Sequence, residues 1–214
     1  MQNKRAYFIT MEGIEGVGKS TNIGSITEYL DTKGIEYIVT REPGGTRLAE
    51  KIRELLLEDE VEPVTELTEL LLVFAARAQH VETLIKPALM AGKWVISDRF
   101  TDATFAYQGG GRGVDRGTIK QLQSMVQDEL TPDLTIILDL DPQTGMQRAM
   151  KRGKLDRFER EELEFFARVR QTYLDIAMAD PRRCVIIDAS QKLETVKSDL
   201  IDVLKQRLNI KIDG

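Results

Sequence analysis

The sequence GIEGVGKS at residues 13–20 matches the phosphate-binding pattern G-x-x-x-x-G-K-[ST] at each fixed position. The apolar residues 6–11 before it predict a buried strand, and a helix is predicted to begin near Lys19. In this strand–loop–helix setting, backbone N–H groups and the helix N-terminus surround a polyphosphate. We therefore predict a nucleoside triphosphate site made of Gly13, Ile14, Glu15, Gly16, Val17, Gly18, Lys19, Ser20 and Thr21.

Two side chains of this loop are predicted to act on the ligand directly. Lys19 would reach the β- and γ-phosphates, and the Ser20 hydroxyl would hold Mg²⁺. The alternative is a chance glycine-rich turn, which the strand before the loop and the helix after it both argue against.

The composition indicates one globular domain with a sizeable core. Of the 214 residues, 42% are apolar and 30% are charged, and the net charge of −5 argues against non-specific binding to nucleic acid. No stretch is apolar for long enough to predict a membrane span, and the N-terminus does not resemble a signal peptide. The single cysteine, Cys184, fits a reducing cytoplasm. The single histidine, His80, is a poor metal ligand without a partner.

Short apolar strands alternate with helices along the chain. Strands are predicted at residues 6–11, 37–40, 94–98, 134–139 and 185–188. This alternation predicts an α/β fold, a P-loop NTPase-type five-stranded parallel sheet with helices on both faces and a small mobile lid. Because ligands bind at the carboxyl ends of such strands, we expect the site where residues 41–45, 98–99 and 189–190 follow their strands.

The longest helix is predicted over residues 66–90, with Pro87 kinking it or starting its last turn. Residues 70–76 are apolar nearly all round, which predicts burial on more than one side. This helix is either central to one domain or part of a subunit interface. Helices are also predicted at residues 118–129 and 159–179, and a flexible loop at residues 108–113.

Asp98 and Arg99 end the third predicted strand. An aspartate there can hold Mg²⁺ through water, and the adjacent arginine can bind an acceptor phosphate in a bidentate fork. The alternative is a surface ion pair at the end of a strand.

A basic cluster lies at residues 148–157, with Arg148, Lys151, Arg152, Lys154 and Arg157 around Gly153. Cations on a mobile segment would neutralise a phosphoryl group during its transfer. The alternative is a solvated basic face, which is the usual reading of a charge run.

Phe74 and Arg77 are spaced to share one helix face. Together they could stack on a base and donate a hydrogen bond to its carbonyl group. The alternative is a core residue, which a phenylalanine at such a position, taken alone, more often is.

These motifs together resemble the thymidylate kinase family, the dTMP kinases of the P-loop nucleoside monophosphate kinases, in its bacterial form. The resemblance covers nearly the whole chain as one domain over residues 1–214, with a lid at about 148–160. The segments that carry it are EGIEGVGKS at 12–20, TREPGGT at 40–46, FAAR at 74–77, DRF at 98–100, AYQGGGRG at 106–113 and LDRF at 155–158. It implies ATP-dependent phosphorylation of dTMP to dTDP, with Mg²⁺, by a cytoplasmic homodimer.

The resemblance also implies a role for each matching residue. On dTMP, Glu15 would contact the 3′-hydroxyl, Phe74 would stack on thymine and Arg77 would donate to its carbonyl. Tyr107 would crowd the ribose 2′ position, with Gln108 as a further acceptor contact. Arg99, with Arg41 nearby, would bind the dTMP phosphate. The implied catalytic residues are Lys19, Arg99, Arg148, Arg152 and Arg157, with Arg148 also on ATP, and the implied metal residues are Ser20 and Asp98.

Two other functions remain open at this point. A small kinase for a different nucleotide or a sugar would share the P-loop. A regulatory ATP-binding switch is less favoured, because the chain has a second set of predicted phosphate ligands and lacks the Asn-Lys-x-Asp guanine signature.

Overall fold

Five parallel strands form the sheet at the centre of the protein. The computed structural model describes residues 5–58, 63–151 and 156–208. Within these residues the strands are β1 (Phe8–Glu12), β2 (Tyr37–Arg41), β3 (Trp94–Asp98), β4 (Leu134–Asp139) and β5 (Cys184–Asp188), in the order β2-β3-β1-β4-β5. Each adjacent pair is parallel. The predicted fold class is confirmed.

Helices connect successive strands and cover both faces of the sheet. They are α1 (Lys19–Thr32), α2 (Arg47–Leu57), α3 (Glu66–His80), α4 (Lys86–Met90), α5 (Thr101–Thr104), α6 (Arg116–Gln127), α7 (Pro142–Met150), α8 (Leu163–Ala179) and α9 (Leu193–Arg207). The segments Val81–Ile85 and Phe105–Gly111 are π-helical. No helix of the described residues has the length and apolar character needed to cross a bilayer.

The three inner strands are buried along almost their whole length, whereas the edge strands β2 and β5 are partly exposed. A strand between two helical layers needs apolar side chains on both faces, which is why the sequences of β1, β3 and β4 are mostly apolar. The hydrophobic core therefore lies on both sides of the sheet. The polar side chains that could bind a ligand lie at the carboxyl edge of the sheet.

The long helix after β2 is confirmed, with a change of geometry near its end. α3 passes into the π-helical turn Val81–Ile85 and then into α4, where Pro87 occupies the first turn. A proline is tolerated there because its missing N–H is not needed. Gly92, at a φ of 78°, follows the helix.

The predicted flexible loop at residues 108–113 is wrong for most of its length. Residues 105–111 form a π-helical segment that packs against α8, and Gln108 is buried. A Cβ at Gly110 would overlap Thr172, and one at Gly111 would overlap the ring of Phe165. These glycines allow close packing between two elements and do not produce a mobile loop.

Two helix starts also differ from the prediction, one because of a capping side chain and the other because a separate turn precedes the helix. α6 begins two residues earlier than predicted, at Arg116, because the Asp115 side chain accepts from the Thr118 N–H at 2.8 Å. α8 begins four residues later, at Leu163. Before it, Asp156 and Glu159 exchange side-chain and backbone hydrogen bonds that close a separate turn.

Candidate active site

The register of the sheet brings the predicted ligands to one edge. Asp98 at the end of β3 is paired with Met11 of β1 on one side and with Arg41 of β2 on the other. The P-loop follows β1 directly, so the loop, Arg41 and Asp98 meet at the carboxyl edge of the sheet.

The P-loop has the backbone that its glycines permit. Gly13, Gly16 and Gly18 have φ angles of 131°, 74° and 89°, which are values that other residues rarely adopt. Lys19 folds back over the loop, and its Nζ donates to the carbonyl oxygens of Gly13 at 3.2 Å and Ile14 at 3.1 Å. Burial and then the nearby Arg99 charge lower the pKa of Lys19. The lysine is thus held at the loop, and a bound anion would stabilise its charged form.

Two neighbouring pockets open at this edge. The first, called here the P-loop pocket, is lined by Glu15, Gly16, Gly18, Lys19, Ser20, Thr21, Arg41, Glu42, Arg53, Asp98, Arg99, Arg148, Asp156 and Glu159. The second, called the inner pocket, is lined by Glu15, Glu42, Pro43, Arg53, Leu57, Val73, Arg77, Arg99, Phe100, Ala103, Thr104, Tyr107, Gln108, Asp156 and Phe158. Glu15, Arg53 and Arg99 are among the residues that line both, so the two pockets share a charged boundary.

Asp98 and Ser20, the predicted metal residues, both line the P-loop pocket. The Oδ1 atom of Asp98 is buried and has no hydrogen-bond partner among the described residues. A buried carboxylate oxygen without a donor suits a hydrated divalent cation. No cluster of three or more His, Cys, Asp or Glu side chains in the described ranges could hold a metal alone. These residues therefore fit an ion that is bound mainly by water and phosphate, as Mg²⁺ commonly is.

Arg99 is fixed at the boundary between the pockets. Its guanidinium donates to Gly13 O at 2.9 Å, Glu15 Oε1 at 2.7 Å, the Tyr107 hydroxyl at 2.9 Å and the Tyr173 hydroxyl at 3.2 Å. Its own backbone has a φ of 70°, uncommon outside glycine. Burial alone would raise the pKa of Glu15, but the Arg99 and Lys19 charges outweigh it and hold that pKa below its usual value.

A second buried carboxylate lies behind Arg99. Glu12 accepts from the Phe100 N–H at 2.7 Å and from the Tyr173 hydroxyl at 2.9 Å. Burial, with a smaller contribution from Asp102, raises the pKa of Glu12 to about 8. Glu12 therefore holds both the backbone after Arg99 and the tyrosine that contacts it.

Arg77 lies in the wall of the inner pocket with most of its donors occupied. Its Nε donates to Glu42 Oε2 at 2.6 Å, and its Nη2 donates to Phe100 O at 3.2 Å and Thr104 Oγ1 at 2.9 Å. Nη1 is buried and has no partner among the described residues. Nη1 is therefore the guanidinium nitrogen whose N–H groups have no acceptor among the described residues.

Of the residues predicted to bind dTMP, the structure brings Glu15, Arg77, Arg99, Tyr107 and Gln108 together in the inner pocket. Arg41 lines the P-loop pocket and pairs with Glu50 at 2.7 Å. Phe74 lies outside the lining of both pockets. It is 2% exposed within the main hydrophobic cluster, and its ring is 4.8 Å from the Arg77 guanidinium.

Of the three arginines predicted for the lid, the structure describes Arg148 and Arg157, which have different positions. Arg148 lines the P-loop pocket and donates to Ala189 O at 3.1 Å. Arg157 lines neither pocket; it donates to Leu56 O at 2.8 Å and to Glu69 Oε2 at 2.7 Å. Arg152 lies outside the described residues.

Arg53 is a site residue that the sequence reasoning missed. It lines both pockets and donates to Pro43 O at 3.0 Å. Burial, and then the charges of Arg41 and Arg99, lower its pKa. In the sequence, Arg53 is one of three cations of α2, with Arg47 and Lys51, and a cation inside an amphipathic helix is by itself ordinary. Glu42 and Thr104 were also missed, because their contacts with Arg77 cross between elements.

The fold and the two pockets define a class, the P-loop kinases. These enzymes hold a nucleoside triphosphate on the P-loop and a second phosphate-bearing substrate beside it.

Comparisons with known proteins give the family. The family model for thymidylate kinase matches residues 11–200. A thymidylate kinase from Hahella chejuensis is 53% identical over 96% of this chain and 99% of its own length, and one from Ectopseudomonas mendocina is 54% identical over 94% and 96%. The crystal structure of thymidylate kinase from Ehrlichia chaffeensis superposes with a TM-score of 0.77 at 38% identity, covering 93% of this chain and 98% of that one. The chain belongs to the thymidylate kinase family.

Proposed function

We propose that this chain transfers the γ-phosphoryl group of ATP to dTMP, forming dTDP on the route to dTTP. The observation that carries the proposal is the pair of pockets sharing Glu15, Arg53 and Arg99. A phosphate of the acceptor placed at that shared boundary would lie next to the γ-phosphate on the P-loop, as in-line transfer requires.

In the P-loop pocket, ATP binds with its phosphates against the loop backbone and Lys19. Mg²⁺ would be held by Ser20 and, through water, by Asp98, and it would neutralise charge on the β- and γ-phosphates. Lys19 already lies against the loop carbonyls, so its ammonium group can donate to a bound phosphate with little rearrangement.

In the inner pocket, the phosphate of dTMP binds at Arg99 and Arg53, with Arg41 nearby. The unpartnered Nη1 of Arg77 donates to a thymine carbonyl, and Gln108 lies in the same wall. Glu15 takes the 3′-hydroxyl and Tyr107 crowds the 2′ position. Phe74 stacks on the base in the family-based prediction; its position behind Arg77 also supports a role in holding the guanidinium.

The lid arginines stabilise the transferring phosphoryl group. Arg148 is supported by its place in the P-loop pocket. Arg152 and Arg157 are proposed from the family resemblance, and Arg157 would have to leave Glu69 in order to reach the phosphates.

We also propose a cytoplasmic homodimer formed through α3. Leu67 and Leu71 share one face of this helix and are 56% and 48% exposed, although α3 is buried on its opposite side. Leu48 and Leu55 on α2, which packs against α3, are likewise exposed. Apolar side chains at this spacing on adjacent helices suit burial against a second copy.

A coupled assay with ATP, Mg²⁺ and each nucleoside monophosphate in turn tests the activity. We expect the highest kcat/KM with dTMP. A higher kcat/KM with another acceptor would replace the substrate assignment. ATP binding without transfer to any acceptor would point to a regulatory module.

A further inference from the structure

The strongest unassigned feature is a buried chain of polar contacts behind Arg77. The Glu42 carboxylate lies between two cations or donors: Oε2 accepts from Arg77 Nε at 2.6 Å, and Oε1 contacts His80 Nδ1 at 2.8 Å. The side chains of Glu42, Arg77 and His80 are 3%, 1% and 0% exposed. Removing one partner of a buried ionic contact leaves an uncompensated charge, which strongly destabilises the folded state.

His80 is the only histidine in the chain, and both of its ring nitrogens are engaged. The Glu42 carboxylate can only accept, so Nδ1 must carry a proton. Nε2 is 2.7 Å from the Thr40 hydroxyl, which donates to it in the neutral ring. The ring is also packed against Gly45, where a Cβ would overlap both His80 and Thr40. These contacts leave the imidazole little freedom to turn.

The orientation of Arg77 depends on how Glu42 distributes its two oxygens. While His80 holds Oε1, only Oε2 is available to the guanidinium, and Nη2 stays on Phe100 O and Thr104. A released Oε1 could complete a bidentate fork with Nε and a terminal nitrogen of Arg77. That fork would compete with the contacts of Nη2 and turn the guanidinium, which would change the position of the unpartnered Nη1.

We propose that His80 is a positioning residue for acceptor recognition. By holding Oε1 of Glu42 through Nδ1–H, it fixes the Arg77 guanidinium so that Nη1 remains available to a carbonyl of the acceptor base. This inference rests on the proposed function, because the base is the ligand that Nη1 would meet.

Two substitutions of His80 separate positioning from mere packing. The amide N–H₂ of His80→Asn replaces Nδ1 and keeps the donor to Glu42, whereas His80→Gln places its polar end near Nε2 and Thr40. Both replacements are polar and no larger than histidine, so each variant controls for the general effect of replacing the ring in the other. We expect His80→Gln to raise the KM for dTMP about tenfold, with kcat and the KM for ATP within about twofold of the parent. His80→Asn should keep the KM for dTMP within about threefold.

Equal values of the KM for dTMP in the two variants would overturn the proposal. It would also be overturned if His80→Gln changed kcat and the KM for ATP as much as the KM for dTMP, since that pattern indicates a general structural defect.

A measurement on the untagged parent protein is independent of activity and of variant folding. With ¹⁵N labelling, the single imidazole gives one unambiguous pair of ring signals. We expect the Nδ1–H tautomer, with Nε2 unprotonated; an Nε2–H tautomer would overturn the inference. Failure of the parent to phosphorylate dTMP would instead overturn the proposed function, so the two failures are distinguishable.

Discussion

At the scale of single residues, the site is an arrangement of charges that hold one another in place. Arg99 is bonded to Glu15, Tyr107 and Tyr173, and Glu12 in turn holds Tyr173. Substrate phosphates would enter a boundary where cations are already oriented and partly desolvated. Such prearranged charges act on a transition state without further reorganisation.

Arg53 offers a direct test of the shared boundary. We expect Arg53→Ala to raise the KM for dTMP by about tenfold or more, because a charge-assisted contact to phosphate is lost from a half-buried position. Steady-state kinetics with dTMP and ATP varied separately would measure it. Arg47→Ala removes the same charge from an exposed position on the same helix and should leave KM unchanged. Equal effects of both substitutions would show that only net charge matters.

Glu12 gives a prediction for pH dependence. Its pKa is raised to about 8 in the folded chain from an ordinary value of 4.5, so between these values the folded state binds more protons than the unfolded state. The stabilising effect of its protonation is complete below pH 4.5 and is lost as the pH rises through about 8.

Replacement of Glu12 by glutamine removes this titration. We expect the unfolding free energy of Glu12→Gln, relative to the parent, to rise with pH across that window, with a slope approaching about 1.4 kcal/mol per pH unit. Urea unfolding from pH 5 to pH 8 would measure the difference. A difference that does not vary with pH would show that Glu12 is ionised throughout.

At the scale of elements, loops and helix ends place the chemistry, and the segment after α7 is the one proposed to move. Its anchor is visible in the structure: Arg157 is paired with Glu69 of α3, and Gln108 is bonded to the same carboxylate at 2.9 Å. The buried Glu69 thereby connects Arg157, in the segment after α7, with Gln108, in the wall of the inner pocket.

Arg148 at the end of α7 tests the catalytic role of this segment. We expect Arg148→Ala to lower the single-turnover rate at saturating substrates by about 10²-fold, because the cation proposed to lie beside the γ-phosphate is removed. Arg148→Lys should restore the rate only in part, since a lysine cannot form the planar fork. Lys120→Ala, an exposed cation on α6, is the control. A parental rate for Arg148→Ala would make the basic cluster a solvated face.

At the scale of the whole molecule, the sheet determines the position of the site, and α3 forms one wall of the inner pocket. α3 contributes Arg77, His80 and Glu69 to the interior and the exposed leucines to the opposite side. A dimer formed on that outer face would rigidify the helix that we propose positions the acceptor.

The dimer is tested by a charge on that face. Leu71→Glu should shift the protein toward a monomer in size-exclusion chromatography with light scattering, because the carboxylate would be buried without a partner. Met178→Glu, on an exposed position of α8, should leave the mass unchanged. A dimer that survives Leu71→Glu would place the interface elsewhere.

The sequence by itself determined the P-loop, the parallel sheet and the edge at which ligands gather, because these follow from local patterns: a fixed glycine spacing, continuous apolar strands and polar residues just after them. It also predicted roles for Asp98, Arg99, Arg77 and Tyr107, and the structure places these residues in the linings of the two pockets. The start of α6 at Arg116 was less well predicted, since a single capping contact from Asp115 decides it. The start of α8 at Leu163 was also less well predicted, since a separate turn between Asp156 and Glu159 precedes it.

Only the tertiary structure decided which side chains share a pocket. Arg77 meets Glu42 across 35 residues of chain, and Arg157 meets Glu69 across 88. It also showed that the glycines at 110 and 111 are packing positions against α8, and that Arg53 reaches both pockets. Contacts of this kind depend on how helices are set against the sheet, and no local spacing in the sequence encodes the distance between two side chains that folding brings together.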